Sequence, residues 1–160
     1  MVVPATFSDI PGVLDVMQRA HKRSIYADTA TFDELAAKQL LLHSINRHGH
    51  TNLGGSLCFV SKQEDGAIAG FIIGYIDVVY PGLKEKMASD LLFICDEDAP
   101  AQDAGEMLRA LLHWGRSAKG VIEIVLGVSG AIGDPERTGK LYERAGLTRC
   151  GTMYRMEVQQ

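Results

Sequence analysis

The chain has 160 residues and a mass of 17.4 kDa, which suits one domain with a substantial core. Hydrophobic residues make up 46% of it and charged residues 22%, as in ordinary globular proteins, and no apolar run approaches the length of a membrane span. The net charge of −4 argues against nucleic acid as the main partner, and the absence of any signal-peptide pattern leads us to expect a cytoplasmic protein without membrane contact.

The first third of the sequence predicts a short strand followed by two helices. Residues 2–6 are β-prone. Asp9 is a typical helix starter, and apolar residues at helical spacing predict an amphipathic helix over about 8–22. A second helix is expected over about 32–48, which leaves 24–31 as the connecting loop.

The middle of the sequence predicts a β-hairpin followed by one further strand. Two β-rich runs, 56–61 and 67–80, are joined by a turn with an Asp-Gly pair at 65–66, which favours the positive φ of a hairpin turn. A polar connection over 83–89 then leads to a short apolar strand over 90–95.

The next segment predicts a helix over 101–117 and a buried strand over 121–126. Because a strand at 90–95 precedes that helix, the three elements form a βαβ unit, and its two strands are expected to be parallel. No repeat or linker divides the sequence, so residues 1–160 are expected to form a single domain.

The end of the sequence predicts one more helix and two strands. Asp134 is placed to cap the helix and Gly146 to close it. We expect one strand up to Cys150 and another over 152–158, with the turn between them at Gly151.

Several short segments, together with the order of the elements, carry a family resemblance. The segment 141–147, Leu-Tyr-Glu-Arg-Ala-Gly-Leu, is similar to the (F/L)YExxGF helix end of the GNAT acetyltransferase superfamily. Segments 89–93 (Ser-Asp-Leu-Leu-Phe), 127–129 (Gly-Val-Ser) and 134–138 (Asp-Pro-Glu-Arg-Thr) resemble a GNAT subgroup common among bacterial and prophage sequences, and 151–158 fits its closing strand. The resemblance covers nearly the whole chain.

The resemblance implies an α/β (α+β) fold of the acyl-CoA N-acyltransferase type. Such a fold has four helices and a mixed, mostly antiparallel sheet with one central, splayed pair of parallel strands. Strands 90–95 and 121–126 would border the gap, where unpaired backbone groups are costly unless a ligand pairs with them. In this family the pantetheine arm of acetyl-CoA does so, and a small-molecule or protein amine attacks the thioester directly. No metal is implied, and the oligomeric state stays open, a homodimer included.

The cofactor-binding residues that the resemblance implies lie on the first gap strand, in the loop and helix start after it, and beyond the second gap strand. They are Phe93, Ile94, Cys95, Ala99, Ala101, Gln102, Asp103, Ala104, Gly105, Ser129 and Tyr142. The family's loop pattern, R/Q-x-x-G-x-G/A, aligns with 99–104. Here Ala99 replaces the usual Arg or Gln, Gln102 replaces Gly, and Pro100 has no N–H to donate.

Acidic residues flank this loop: Asp96, Glu97, Asp98, Asp103 and Glu106. We expect them to repel a pyrophosphate, and the loss of two charge-assisted hydrogen bonds would weaken binding by roughly a hundredfold or more. An alternative function is therefore a catalytically degenerate GNAT-fold module for binding or assembly, in a phage-related setting.

Tyr142 and Asp90 are the candidate catalytic residues. In the family a tyrosine at the position of Tyr142 protonates the leaving thiolate, and a phenol with a pKa of about 10 suits that task. Alternatively, the Tyr142 ring packs in the core and its hydroxyl finds a partner. Asp90 either takes a proton from an ammonium substrate or is a strand-end carboxylate bonded to backbone.

Substrate contacts implied by the resemblance come from Tyr26 and Asp28 in the loop 24–31 and from Tyr80 after the second hairpin strand. These residues would border the face of the sheet opposite the cofactor. Ser129 stands where family members often place a polar residue near the thiol, or else it is an ordinary loop serine.

The cysteines and histidines predict neither a disulfide framework nor a metal site. Cys58, Cys95 and Cys150 are far apart in strand-like contexts, so buried reduced thiols are expected. His48 and His50 are close in sequence, but no third ligand is near them.

Overall fold

The computed structural model describes residues 1–156 and 158, which form one five-stranded sheet with helices on both faces. The strands are β1 (Val2–Pro4), β2 (Ser56–Lys62), β3 (Ile68–Val78), β4 (Lys86–Cys95) and β5 (Val121–Val125). The helices are α1 (Ile10–Arg23), α2 (Glu34–Asn46), α3 (Ala101–Ser117) and α4 (Pro135–Arg144), and a 3-10 turn at Phe7–Asp9 precedes α1.

The sheet has the strand order β1-β2-β3-β4-β5. The first three pairings are antiparallel, and β4 with β5 is the parallel pair. The expected mixed, mostly antiparallel α/β sheet with four helices is therefore confirmed. Among the described residues no helix is long and apolar enough to cross a bilayer.

Local chemistry accounts for several element boundaries. Asp33 and Asp134 cap α2 and α4, each accepting a hydrogen bond from a backbone N–H two or three residues on, at 2.9 Å. Gly66 in the β2–β3 turn and Gly146 after α4 have φ of 86° and 91°, values that residues with a Cβ rarely adopt.

The sheet core alternates between two faces, as the period of a strand requires. Phe71 and Ile73 of β3 pack with α1 and α2, whereas Ile72 and Ile76 pack with Leu111 and Trp114 of α3. A smaller cluster joins α4 to α3. Because α3 and α4 share one face, the parallel strands β4 and β5 are covered on that side by both helices.

β4 is longer than the sequence predicts, because residues 86–89, expected to be a polar connection, are part of the strand. Met87, Ala88 and Ser89 pair with β3 on one side and with β5 on the other. Ala88 is fully buried beneath α3. Pairing on both sides stabilises a strand whose composition alone favours a loop.

The two C-terminal strands expected up to Cys150 and over 152–158 do not form in the part of this segment that the structure describes. Residue 157 of the second one lies outside the described residues. Instead of pairing with the free edge of β5, the segment runs to the loop after α1, where the Arg155 guanidinium lies 5.5 Å from the centre of the Tyr26 ring. A strand persists only when its backbone groups have partners, and here the segment has no strand beside it.

The cysteines are all free thiols, but they are not all buried as expected. Cys58 is buried and Cys95 half-buried, whereas Cys150 is exposed because the strand predicted around it does not form. His48 accepts a hydrogen bond from the Cys58 N–H at Nδ1 (3.0 Å) and packs its ring on Phe59. The described residues contain no group of three His, Cys, Asp or Glu side chains placed to hold a metal.

Two glycines of α3 should respond oppositely to the same change to alanine. A Cβ at Gly115 would lie 2.9 Å from both Ala88 Cβ and Ile124 Cδ1, under the paired part of β4 and β5. A Cβ at Gly105 would approach only the flexible end of Arg109, at 3.4 Å. We expect Gly115→Ala to lower the free energy of unfolding by about 1–2 kcal/mol, through overpacking. Gly105→Ala should raise it by up to about 1 kcal/mol through helix propensity.

Urea denaturation of both variants measures these two changes. Equal stabilisation by the two substitutions would show that α3 does not press on β4 and β5 at Gly115.

Candidate active site

The pairing of the parallel strands β4 and β5 stops partway along β4, because β5 ends there. Their pairing runs from Lys86 opposite Val121 to Ser89 opposite Val125 and ends there. Residues 90–95 remain paired with β3 but face no strand on the other side. Among the described residues, the edge of β4 that the predicted gap requires is therefore open over 90–95.

A β-bulge lies where the open edge of β4 begins. Gly74 of β3 lies opposite Asp90, and Ile73 lies opposite Leu92, so Leu91 is an extra residue without a partner. A bulge bends its strand and increases its twist, and this one lies where β4 runs beyond the end of β5. The backbone groups on that side of 90–95 are left to pair with a ligand in an extended conformation.

The Asp90 carboxylate spans the gap where it opens. One oxygen, Oδ1, accepts a hydrogen bond from the backbone N–H of Gly127, which follows β5, at 2.9 Å. The other, Oδ2, accepts one from the Tyr142 hydroxyl of α4 at 3.2 Å. The two candidate catalytic residues are thus in direct contact, and the backbone bond that the alternative interpretation of Asp90 requires is present as well.

Tyr142 is held by packing on its ring and by one bond at its hydroxyl. The residue is 6% exposed and packs with Leu108 and Leu112 of α3. Its ring stacks on Phe93 of β4, with centroids 6.4 Å apart and planes 9° apart. Stacking fixes the direction of the hydroxyl, which reaches the gap instead of pointing into hydrocarbon.

Sequence comparisons give no relatives: no protein-family model and no curated protein matches the chain. Solved structures do match it in shape. An acetyltransferase of Trypanosoma brucei superposes with a TM-score of 0.68 and 15% identity over 99% of both chains. The glucosamine-6-phosphate N-acetyltransferase from Arabidopsis thaliana gives 0.69 and 12%, covering 99% of this chain and 98% of that one. The ribosomal-protein-alanine N-acetyltransferase from Brucella melitensis gives 0.65 and 16% over 99% of both.

The chain has the GNAT acetyltransferase fold. The resemblance in the short segments and the likeness to these structures agree on the same architecture. At such low identity the likeness shows the fold alone, and residue roles are argued from the site itself.

The surroundings of Asp90 and Tyr142 raise the pKa values of both side chains. Burial raises the pKa of Asp90 above its ordinary value, and the hydrogen bonds from Gly127 and Tyr142 offset part of that rise. Burial also raises the pKa of Tyr142, and the neighbouring Asp90 carboxylate raises it further. Tyr142 is therefore fully protonated at neutral pH, and Asp90 holds a proton more tightly than an exposed aspartate does.

Asp90→Asn is expected to stabilise the fold at neutral pH. An acid whose pKa is raised on folding binds its proton more tightly in the native state, so its stabilising contribution is present at low pH and is lost as the pH rises through the folded pKa. Asparagine carries no charge to desolvate. Thermal unfolding should show a higher Tm for the variant at pH 7, with the difference shrinking towards pH 3; a gain that is equal at both pH values would contradict the raised pKa.

The loop between β4 and α3 would receive the pyrophosphate in a GNAT fold. Pro100 is the N-cap of α3 and no side chain caps the helix. The N–H of Ala99 already bonds to Asp96 O and that of Asp103 to Pro100 O. The first-turn N–H groups of Ala101 and Gln102 have no intrahelical acceptor and remain as donors for an anion.

Two of the loop's five acidic residues do not act as predicted. Asp103 is 1% exposed, and its carboxylate accepts hydrogen bonds from Ser61 Oγ at 2.5 Å and from the Met1 ammonium at 3.2 Å. Its side chain cannot contact a cofactor as the sequence assignment proposed. Asp96 is buried and binds the guanidinium groups of Arg19 and Arg23 of α1, at 2.5 and 2.9 Å.

Of the five acidic residues expected to repel a pyrophosphate, only the three exposed ones remain available to do so: Glu97, Asp98 and Glu106. The sequence gives no local signal for these ion pairs, because the partners of Asp96 and Asp103 are 42 or more residues away. Ala104 and Gly105 lie half-buried in the first turns of α3.

On the gap strand, the backbone faces the gap while the side chains pack above and below. Ile94 is buried among the residues of the α1/α2 face, whereas Phe93 and Cys95 pack on the α3 face. Burial raises the pKa of the Cys95 thiol to about 11, with Asp103 and Asp96 adding to the rise. Cys95 is thus a protonated thiol and a poor nucleophile.

The structure draws attention to Arg137 of α4, which lies in the 134–138 segment of the sequence. Its positive charge lowers the pKa of Cys95, against the larger effect of burial. Arg137 is exposed, so its charge is available to an anionic ligand.

Of the predicted substrate residues, two lie in a loop that contacts the loop after β5. The loop 24–31 is joined to the loop after β5 by the Ile25 N–H, which bonds to Ala131 O at 3.1 Å, and both Tyr26 and Asp28 are exposed there. Ser129 Oγ accepts the Ala131 N–H at 3.4 Å, the bond expected of a loop serine.

Tyr80 is not brought to the gap. It follows the end of β3 where Val78 pairs with Lys86, whereas the open edge of β4 begins at Asp90 and runs to Cys95, at the other end of the strand. Residues after a strand can lie at either end of a sheet, and only the pairing register decides which. The substrate role of Tyr80 stays a prediction.

Proposed function

We propose that the protein transfers an acetyl or other acyl group from acetyl-CoA to a primary amine by direct attack on the thioester. The observation that carries the proposal is the open edge of β4 beyond the end of β5, with the Tyr142 hydroxyl bonded to Asp90 where that edge begins. An extended, amide-bearing arm matches the unpaired backbone of 90–95, and acetyltransferases share the architecture.

The residues present fit acetyl-CoA. The gap-facing backbone of 90–95 would pair with the pantetheine amides, the N–H groups of Ala101 and Gln102 would face the pyrophosphate, and Arg137 would supply positive charge. Tyr142 would donate its proton to the leaving sulfur, and Asp90 would accept a proton from the ammonium of the substrate.

The acyl acceptor is proposed only as a class. The Arabidopsis and Brucella structures are named for an amino sugar phosphate and for an alanine of a ribosomal protein, two different primary amines. A panel should therefore include amino sugars, short peptides with a free N-terminus, and polyamines.

The test has two parts. Acetyl-CoA is titrated into the protein by calorimetry, and release of free thiol is then followed with each amine of the panel. We expect saturable binding and thiol release with at least one amine class. Absence of binding at millimolar acetyl-CoA would overturn the proposal.

A second candidate function is a binding or assembly module that has lost catalysis, in the phage-related setting that the subgroup resemblance implies. It is favoured by the loop, where Pro100 has no N–H, the N–H groups of Ala99 and Asp103 are engaged, and three acids remain exposed. Ala99→Arg combined with Pro100→Gly discriminates: acetyl-CoA binding gained only in this variant supports the module, and tight binding by the parent protein rules it out.

A further inference from the structure

The sequence assigns Asp90 and Tyr142 two independent tasks, but the structure joins them by one hydrogen bond. The Tyr142 O–H donates to Asp90 Oδ2 at 3.2 Å, and the Gly127 N–H holds Asp90 Oδ1 at 2.9 Å. Each residue comes from a different element, β4 for the acid and α4 for the phenol, and the Phe93 stack fixes the phenol's orientation. The contact therefore depends on the tertiary fold and not on chain proximity.

This contact limits when Tyr142 can act as an acid. If Tyr142 gave up its proton while Asp90 was ionised, a phenolate and a carboxylate would face each other where Tyr142 is 6% exposed and Asp90 half-buried. Two such like charges in contact cannot both persist, as shared carboxylate pairs show. Tyr142 is consequently a competent proton donor only when Asp90 is protonated.

We propose that Asp90 and Tyr142 act as one proton-transfer pair, in which the proton that Asp90 accepts from the substrate ammonium passes through Tyr142 to the leaving thiolate. This inference rests on the proposed acyl transfer and adds a fixed order to it: deprotonation of the amine must precede protonation of the sulfur.

The steps balance as follows. Asp90 takes one proton from R–NH3⁺ and becomes a neutral carboxyl, and the freed amine nitrogen attacks the thioester carbon. The C–N bond forms, and the C–S bond breaks with its electron pair on sulfur. Tyr142 gives its proton to that sulfur, and the Asp90 carboxyl returns a proton to the Tyr142 oxygen across their hydrogen bond. The remaining surplus proton on nitrogen goes to Asp90 and then to water, so that each turnover releases one proton.

Few other groups act on the pair. From β4 itself, Cys95 lies close enough to raise the pKa of Tyr142, and the loop after β5 contributes the uncharged N–H of Gly127. Arg137 acts on Cys95 from α4. Neither of the two pKa shifts has a histidine or a lysine among its causes.

The experiment is a double-mutant cycle on turnover with Asp90→Asn, Tyr142→Phe and the double variant, and with Tyr154→Phe as the control. Asparagine retains an oxygen for the Gly127 N–H, and phenylalanine retains the stacked ring. We expect each single variant to lower kcat by a similar factor, the double variant to be no slower than either, and the KM for acetyl-CoA to stay nearly constant. If the double variant were slowed by the product of the two factors, the two residues would act independently and the proposed proton-transfer pair would be wrong. The proposed acyl transfer would be unaffected by that result.

A readout that needs no turnover completes the test. The carboxyl carbon of Asp90 is titrated by NMR in the wild type and in Tyr142→Phe. Loss of the donated hydrogen bond should move the Asp90 titration to higher pH in the variant, and Tyr154→Phe should leave it in place. An unchanged titration would overturn the pair, whereas thiol release with no amine of the panel would overturn the proposed function and the inference with it.

Discussion

Replacing Tyr142 with phenylalanine is expected to slow acyl transfer by about 10²–10⁴-fold, the range that a positioned general acid contributes. The substitution removes one hydroxyl, and the ring keeps its stack on Phe93 and its packing on Leu108. Acetyl-CoA affinity should change little, because the pantetheine arm would be held by the backbone of 90–95. Steady-state kinetics with separate kcat and KM values, beside calorimetry on the same samples, check both expectations.

Tyr154→Phe is the matched control for this variant. Tyr154 is 94% exposed and lies outside the helices and strands, so its hydroxyl should be dispensable. If Tyr142→Phe retained wild-type turnover, Tyr142 would have no catalytic role. Its ring would then only pack in the core, and its hydroxyl would only donate a hydrogen bond to Asp90.

The second large effect concerns stability. Removing both Arg19 and Arg23 by alanine substitution is expected to lower the free energy of unfolding by about 2 kcal/mol. The Asp96 side chain is 6% exposed, so the variant leaves a shielded carboxylate without a cation. The arginines are 48% and 38% exposed, which places the cost below that of a fully buried pair.

A third substitution distinguishes the loss of the ion pairs with Asp96 from a general destabilisation of α1. Adding Asp96→Asn to the double variant should recover much of the loss, because a neutral amide needs no cation. Urea denaturation of the double and triple variants gives the two values, with Arg109→Ala on the exposed face of α3 as the control. Equal instability of both variants would mean that the arginines act through their packing and not through Asp96.

The elements with strong local signals could be predicted from the sequence. The Asp-Gly turn before β3 and the cap at Asp134 rely on backbone preferences that need no tertiary partner. Helix α3 was also predictable, since its apolar spacing matches its buried face. The gap itself was expected from the family resemblance, because nothing in the composition of 90–95 shows that one edge stays unpaired.

Long-range contacts could not be predicted in the same way. The bond between Tyr142 and Asp90 joins residues 52 positions apart, and that between Asp103 and Ser61 joins residues 42 apart. From the sequence alone, an acidic residue beside a phosphate-binding loop is expected to repel the phosphate. That expectation no longer holds when the fold pairs the carboxylate with a hydrogen-bond donor. The two contacts have opposite consequences: the first builds the candidate site, and the second removes Asp103 from it.

The C-terminal segment shows the limit of alternation as a signal. Met153 and Tyr154 belong to a β-prone run, yet they are 72% and 94% exposed in a segment without strand pairing. A groove of about 370 Å³ separates the start of this segment, at Gly146 to Thr148, from β5. An alternating sequence indicates that a segment can form a strand when the edge of another strand lies beside it. It does not predict whether such an edge is there.

The most direct test of the gap as a cofactor site is amide hydrogen exchange along β4 with and without acetyl-CoA. The amides of 90–95 that pair with β3 should be slow in both states. Those that face the gap should exchange rapidly in the free protein and slow on addition of acetyl-CoA, as the pantetheine arm pairs with them. Unchanged exchange of every amide in 90–95 at saturating acetyl-CoA would contradict the account, because the ligand would then be bound elsewhere.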